Sequence, residues 1–225
     1  MLADVTAAGG TEARVVPGGV EFAGGWECCY RLNLHSRIAS RILWRLGVAP
    51  YRSEDDLYRQ AAGIDWPRLF AVERSLRVYV TAQRSPLKSI EFATLRVKDA
   101  ICDRFRADDG RRPSVDTKAP DVRVHLFLTD QKATLYLDTS GEPLWQRGHK
   151  IAKVAAPLKE NLAAGILRLT GWQPGTPLLD PLCGSGTFLL EAAQLALADA
   201  PGLGRDPGGF GFERLRGFRA TLWQR

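Results

Sequence analysis

The clearest chemical signature in the sequence is Asp180-Pro-Leu-Cys-Gly-Ser-Gly-Thr187, a carboxylate followed by two glycines one residue apart. A short apolar run precedes it and a strongly apolar segment follows. A phosphate-binding P-loop needs a Lys after its last glycine so that an ammonium reaches the phosphates, and here Thr187 follows Gly186 directly. A dinucleotide loop needs a third glycine three residues after the second, so that helix and strand can pack closely; Leu189 stands there. What remains is Asp-x-x-x-Gly-x-Gly, a geometry that suits S-adenosylmethionine. The methionine carboxylate can accept from amides of the loop or the helix N-terminus, and the ammonium can meet a carboxylate or loop carbonyls. Glycines remove the Cβ atoms that would bar close approach. The plain alternative is a packing turn between strand and helix.

Such a loop must be carried by a strand before it and a helix after it. Leu178-Leu179-Asp180 reads as a short buried strand and Thr187 to Ala200 as an apolar helix. Leu158, Leu162, Ile166 and Leu169 recur at helical spacing and are closed by Gly171, so this stretch opens an α/β domain. Glu142 to Lys153 is a polar linker containing Arg147-Gly-His-Lys150. Upstream the pattern differs. Residues 13 to 22 read as a hairpin turning at Gly18-Gly19, after a small and polar N-terminus. Tyr30, Leu34, Ile38 and Ile42 recur every four positions and predict an amphipathic helix from Cys29 to Leu46. Ser53-Glu-Asp-Asp56 supplies a hydroxyl cap and first-turn carboxylates for a helix ending near Gly63. Leu76 to Ala82 alternates as a strand, Phe92 to Arg106 is helical, and Val122 to Thr129 with Ala133 to Asp138 form a hairpin. The order hairpin, helix, helix, strand, helix, hairpin is α+β.

Composition bounds the function classes. At 225 residues with 45% hydrophobic and 25% charged, the chain can bury a core, which excludes disorder, collagen-like repeats and coiled coil. A net charge of +6 permits a nucleic-acid partner without requiring one. Cys28, Cys29, Cys102 and Cys183 lack the spacing of a zinc site or a disulfide framework, so free thiols and no metal are expected. No apolar run is long enough to cross a membrane and no signal peptide is evident, which predicts a cytoplasmic protein.

Ala156-Pro-Leu-Lys-Glu-Asn-Leu162, Gly171 to Ala193 around the glycine loop, and Ala200-Pro-Gly202 resemble the THUMP-containing RNA guanine methyltransferases that act on large-subunit ribosomal RNA. Ser36 to Arg41, Asp56-Leu-Tyr58, Val97 to Ile101, Arg112 to Asp116, Ala119 to Arg123 and Asp138 to Gly141 extend the resemblance over nearly the whole chain. It implies an α+β part, a ferredoxin-like remnant over 1–52 plus a THUMP RNA-binding domain over 53–141 (29–141 in a broader convention). A linker over 142–156 and the beginning of an α/β Rossmann-like methyltransferase domain over 157–225 would follow. By position, Asp180, Cys183, Gly184, Ser185, Gly186 and Thr187 would form the S-adenosylmethionine loop. Pro157, Leu158, Lys159 and Glu160 would form the element closing over its methionine end. Cys183 is expected to be a small turn residue rather than a nucleophile, because an amine target attacks the methyl group directly.

The resemblance has departures. Such enzymes orient the target amine with an Asn-Pro-Pro-aromatic motif, where the ring stacks on a flipped base. The chain contains none; Asp206-Pro-Gly-Gly-Phe210 is too near the first strand and has glycines where the second proline and aromatic belong. No catalytic residue is therefore named. The acidic residue expected on a second strand is also missing, as are a strand and helix expected before Ala13, so truncation at both ends is expected, leaving half of a cofactor site. Between positions 84 and 123 ten cations face seven carboxylates, and Arg84, Lys88, Arg96, Lys98, Arg112, Lys118 and Arg123 are candidate contacts to RNA phosphates, 23S ribosomal RNA by the resemblance. Tyr79, Phe92 and Phe105 are expected in the core. Two functions stay open: a methyltransferase of the guanine-N2 type by lineage, inactive as this piece alone, or a non-catalytic THUMP RNA-binding module.

Overall fold

The computed structural model describes residues 1–147 and 158–224. The chain divides into two compact units, Met1–Ile42 with Glu142–Gly209 and Arg219–Arg225, and Leu43–Gly141 with Phe210–Phe218. Each is described by itself.

The second unit is a four-stranded sheet with helices on one face. Its strands β3 (Leu43–Pro50), β4 (Leu76–Ala82), β5 (Val122–Leu128) and β6 (Lys132–Asp138) lie in the order β3-β6-β5-β4. The β3–β6 and β5–β6 pairs are antiparallel and β4–β5 is parallel. A parallel pair cannot be joined by a tight turn. The crossover here includes α5 (Ile90–Asp109), whose 20 residues span about 30 Å at 1.5 Å rise per residue. Leu76 and Val78 on β4, opposite Val122 and Val124 on β5, are buried together with Val97, Ile101 and Phe105 of α5 and Leu57 and Ala61 of α3 (Glu54–Ala62). A short helix α4 (Trp66–Leu69) adds Trp66, whose indole N–H donates to Ala61 O at 2.7 Å. Residues 210–218 belong to this unit: the Phe212 amide donates to Thr139 O at 2.9 Å and the Arg216 amide to Leu69 O at 2.8 Å.

The first unit holds α1 (Leu2–Ala7), the hairpin β1 (Thr11–Val16) and β2 (Gly19–Ala23), α2 (Trp26–His35), α6 (Glu160–Leu169), α7 (Thr187–Ala196) and α8 (Ala220–Trp223). The N-terminal helix was not expected from a small, polar stretch. It is fixed by Asp4, which accepts from the Ser36 hydroxyl at 2.9 Å and pairs with Arg168 at 2.5 Å, and by burial of Val5.

Two further expectations differ from the structure. The helix expected from Cys29 to Leu46 ends at His35, and Leu43–Pro50 is strand β3. The four-residue period continued to Ile42, but pairing with β6 from Leu43 opposite Asp138 to Pro50 opposite Lys132 supplies the backbone with a ladder that overrides it. Leu178–Asp180 is not a strand: no ladder partner flanks it among the described residues, and Leu179 is 87% exposed.

The cap at Ser53 is as the sequence indicated. Ser53 Oγ accepts from the Asp56 amide at 3.3 Å, while Asp56 Oδ2 accepts from the Arg52 and Ser53 amides, both at 2.9 Å. Ser53→Ala should lower stability by about 1 kcal/mol in urea titration. The Arg52 amide, the Ser53 hydroxyl and the Ser53 amide hold the Asp56 carboxyl below its usual range. That contribution is present above the unfolded pKa and is lost as pH falls through the lower folded value. Asp56→Ala should therefore show a flatter loss of stability in acid than the parent, measured by denaturation from neutral to strongly acidic pH.

Candidate functional site

The glycine loop is built from a left-handed backbone. Asp180 Oδ1 accepts from the Leu182 amide at 3.2 Å, and Cys183 O accepts from the Gly186 amide at 2.8 Å, closing the turn. Gly184 has φ +54 and Gly186 φ +71, the region that disfavours any residue with a Cβ. Among the described residues nothing lies within 4 Å of a Cβ built at either position, so none of them packs against these glycines as a packing turn would require. Gly186 is the N-cap of α7, no side chain caps the helix and its first turn has no acid. The helix start thus offers amide donors and a partial positive charge. Ser185 Oγ and Thr187 Oγ1 lie 3.2 Å apart, Cys183 is exposed and Thr187 is buried.

One turn into α7, Glu191 is 2% exposed and sits between two equally buried guanidiniums. Arg147 Nη1 donates to both carboxylate oxygens, at 2.5 Å to Oε1, and Arg147 Nη2 donates to Arg37 O at 2.7 Å. Arg37 Nη1 lies 3.6 Å from Glu191 Oε2; its Nη2 donates to Gln194 O at 3.0 Å and to Asp199 O. Burial pushes the Glu191 carboxyl upward against the pull of Arg147 and Arg37, and pushes both guanidiniums downward. The Glu160 carboxylate acts electrostatically on Arg147 and Glu191. Through this cluster the start of α6 and the helix behind the glycine loop converge. In the sequence Arg37 falls within the expected amphipathic helix and Arg147 within the expected linker, with no partner indicated for either; the lone acid of the otherwise apolar α7 is the available signal.

Of the expected cofactor-closing residues, Pro157 lies outside the described residues, as does the part of the expected linker from 148 onward. Lys159 is the N-cap of α6 and its ammonium lies 5.3 Å over the Trp145 ring; Leu158 precedes it and Glu160 opens the helix. Asn161 Nδ2 donates to Ile38 O and Ser40 Oγ, both at 3.1 Å. A cavity of about 260 Å³ in this unit is lined by Leu167, Arg168, Trp172, Gln173, Pro174 and Leu195, away from the loop.

The candidate RNA contacts separate. Arg84 and Lys88 lie on the exposed segment before α5, whereas Arg112 and Lys118 lie on the exposed segment after it. Lys98 of α5 and Arg112 line one groove. Arg96 is held by Asp55 at 2.6 Å and stacks over the Tyr58 ring. Arg123, on β5, is 5% exposed and does not share the open surface of the others. Phe105 is in the core as expected, but Phe92 is 49% exposed, and Tyr79 is half-buried, stacked on His125 with centroids 5.0 Å apart.

Three family models match in succession: the RlmL ferredoxin-like domain over residues 2–43, the THUMP domain over 51–138 and the RMKL-like methyltransferase domain over 147–222. The chain thus carries, in order, an RlmL-type ferredoxin-like domain, a THUMP domain and an RMKL-like methyltransferase domain, and its fold resembles that of solved methylases. Among solved structures, a Listeria monocytogenes protein assigned as an N6-adenine-specific DNA methylase is 28% identical over 99% of this chain, with a TM-score of 0.86. SMU.472, assigned as a methyltransferase and solved with SAH, is 30% identical over 99% with a TM-score of 0.85. TrmN from Thermus thermophilus is 27% identical over 87% with a TM-score of 0.67. The chain spans 57%, 58% and 57% of the length of these three proteins.

Glu191→Ala would leave two guanidiniums buried without their carboxylate and should cost about 3–5 kcal/mol. Urea denaturation followed by Trp fluorescence measures the loss; a change under about 1 kcal/mol would show that the cluster does not hold the unit together.

Proposed function

We propose that this chain is the RNA-binding and cofactor-loop portion of an S-adenosylmethionine-dependent RNA methyltransferase acting in the cytoplasm on the exocyclic N2 amine of guanine in 23S ribosomal RNA. The observation that carries it is the glycine loop with two left-handed glycines and open space at the uncapped start of α7. The residues fit the methionine end of the cofactor. Amides at the start of α7 would bind its carboxylate, and Asp180, with one oxygen taken by the Leu182 amide, would meet its ammonium with the other. S-adenosylmethionine supplies a methyl group on a sulfonium; an amine nitrogen can take it as the C–S bond breaks to release the thioether, with a proton lost from the nitrogen, and no covalent enzyme step is needed. Leu158, Lys159 and Glu160 would stand beside the loop, and Pro157 with them; the chain carries half of the site. The THUMP match favours RNA over DNA, although the Listeria relative is assigned to adenine in DNA.

This chain alone should give only background tritiated methyl transfer to unmodified 23S ribosomal RNA, because no Asn-Pro-Pro-aromatic motif is present to orient a target amine. A chain carrying the whole domain should methylate guanine; product on adenine, or on DNA in preference to RNA, would overturn the assignment. Turnover by this chain alone would overturn its reading as a half-site, and RNA binding by a complete chain without any turnover would favour the binding module.

Gly184→Val tests the loop. A β-branched residue at φ +54 is strained and fills the open space, so SAH binding by a chain with the complete domain should fall below calorimetric detection while the fold survives. Undiminished binding by the folded variant would remove the cofactor from this loop.

A further inference from the structure

The ten cations between positions 84 and 123 are not equivalent once their partners are known. Arg96 is paired with Asp55 at 2.6 Å, Arg104 with Asp65 at 3.0 Å, Arg106 with Asp103 at 2.9 Å, and Arg111 with Glu73 and Asp109, both at 2.7 Å. Each has its charge already matched by a carboxylate with which a phosphate would have to compete. The side chains of Arg84, Lys88, Arg112 and Lys118 make no hydrogen bond or ion pair among the described residues. Of these four, Arg112 lines a groove.

That groove, about 450 Å³, lies between α5 and the segment after it, with Lys98 and Cys102 on one wall and Arg112 and Ser114 on the other. The second wall is fixed by backbone bonds to the sheet: the Leu76 amide donates to Ser114 O at 2.9 Å and the Asp116 amide to Leu76 O at 3.2 Å. Lys98 and Arg112 both act electrostatically on the Cys102 thiol, which places the two cations about one point; burial keeps the thiol protonated, as wall rather than nucleophile. The opposing charges are committed. Asp103 accepts from the Tyr58 hydroxyl and Arg106, each at 2.9 Å, and Asp99 pairs with Lys98 at 2.5 Å, leaving that ammonium two further donors.

We propose that this groove seats a phosphodiester of the RNA. The Arg112 guanidinium binds two phosphate oxygens through its fork of N–H groups, the Lys98 ammonium donates to the same phosphate, and the Ser114 hydroxyl completes the set. The inference rests on the RNA-binding reading and names where that RNA is held.

The test is fluorescence anisotropy of the full chain with a labelled RNA stem-loop at low and physiological salt, with circular dichroism confirming each variant's fold. Arg112→Glu should weaken binding by about tenfold or more and reduce the salt slope by about one, since one phosphate contact is lost. Lys98→Gln should weaken it less, and Arg112→Lys should recover part of the affinity, since it keeps the charge without the fork. Arg106→Glu, a reversal at an exposed and already paired cation, should change affinity by no more than about twofold. If the chain binds the stem-loop but Arg112→Glu is no worse than Arg106→Glu, or only Arg84→Glu and Lys88→Glu weaken binding, the groove is not the phosphate seat and the RNA reading survives. If the parent chain binds no structured RNA at low salt, the RNA reading falls and the proposal with it.

Discussion

A carboxylate with 2% exposure in the helix behind the glycine loop is the constraint on which the first unit is arranged. An isolated buried charge costs several kcal/mol, so Glu191 can stand on α7 only if cations come to it. They come from two separate stretches of chain: Arg37 after α2, and Arg147 ahead of α6. Each guanidinium has donors left over, and these bind backbone carbonyls: Arg147 reaches Arg37 O, while Arg37 reaches Gln194 O and Asp199 O. The segment after α2, the stretch ending at Arg147, and the middle and C-terminal end of α7 are therefore joined by one charge cluster. Because Glu191 lies four residues beyond Thr187, the cluster also fixes the direction in which the start of α7 points, and with it the amides of the glycine loop.

The second unit uses charge differently. Its core is apolar, from Leu57 and Trp66 through Val97, Ile101 and Phe105 to Leu126 and Leu135, and its carboxylates are spent at the surface on arginines and on helix caps. Exposed pairs of this kind contribute little to stability. On the RNA-binding reading proposed above, each pairing would set a carboxylate in competition with a phosphate. A count of cations along the sequence therefore overstates the available set; the pairing pattern narrows it to Arg84, Lys88, Arg112 and Lys118 in the segments flanking α5, with Lys98 on the helix.

Much of this was legible from residue order. The α3 cap, β4, α5 and the β5–β6 hairpin are encoded locally, by Ser53 and Asp56, by the alternation of Leu76 to Ala82 and by the long apolar period after Phe92, and they appear with only small shifts at their ends. The turn at Cys183 to Gly186 was equally plain. What escaped was set by distant partners. β3 exists because β6 pairs with it; α1 holds because Ser36 and Arg168 bind Asp4; and Phe210 to Phe218 joins the second unit through Thr139 and Leu69. The roles of Arg37, Arg147 and Glu191 are of the same kind, since nothing within a few residues of any of them reports a counter-charge.

Leu178 to Asp180 gives the converse case, a local signal without its structure. A parallel strand buried on both faces reads as an uninterrupted apolar run, and it becomes a strand only when neighbours complete its ladder. Among the described residues no neighbour does so, and Leu179 and Leu182 are 87% and 92% exposed. The turn that follows keeps its form nevertheless, because it depends on short-range terms: the Asp180 carboxylate on the Leu182 amide, the Cys183 carbonyl on the Gly186 amide, and glycines at two left-handed positions. The site thus separates into a loop whose geometry is written in eight consecutive residues and a flanking strand whose geometry depends on partners far from it in sequence. The first is described by its own short-range bonds. The second sets how firmly the loop is held at its open end, while the Arg37–Glu191–Arg147 cluster already holds it at the helix end.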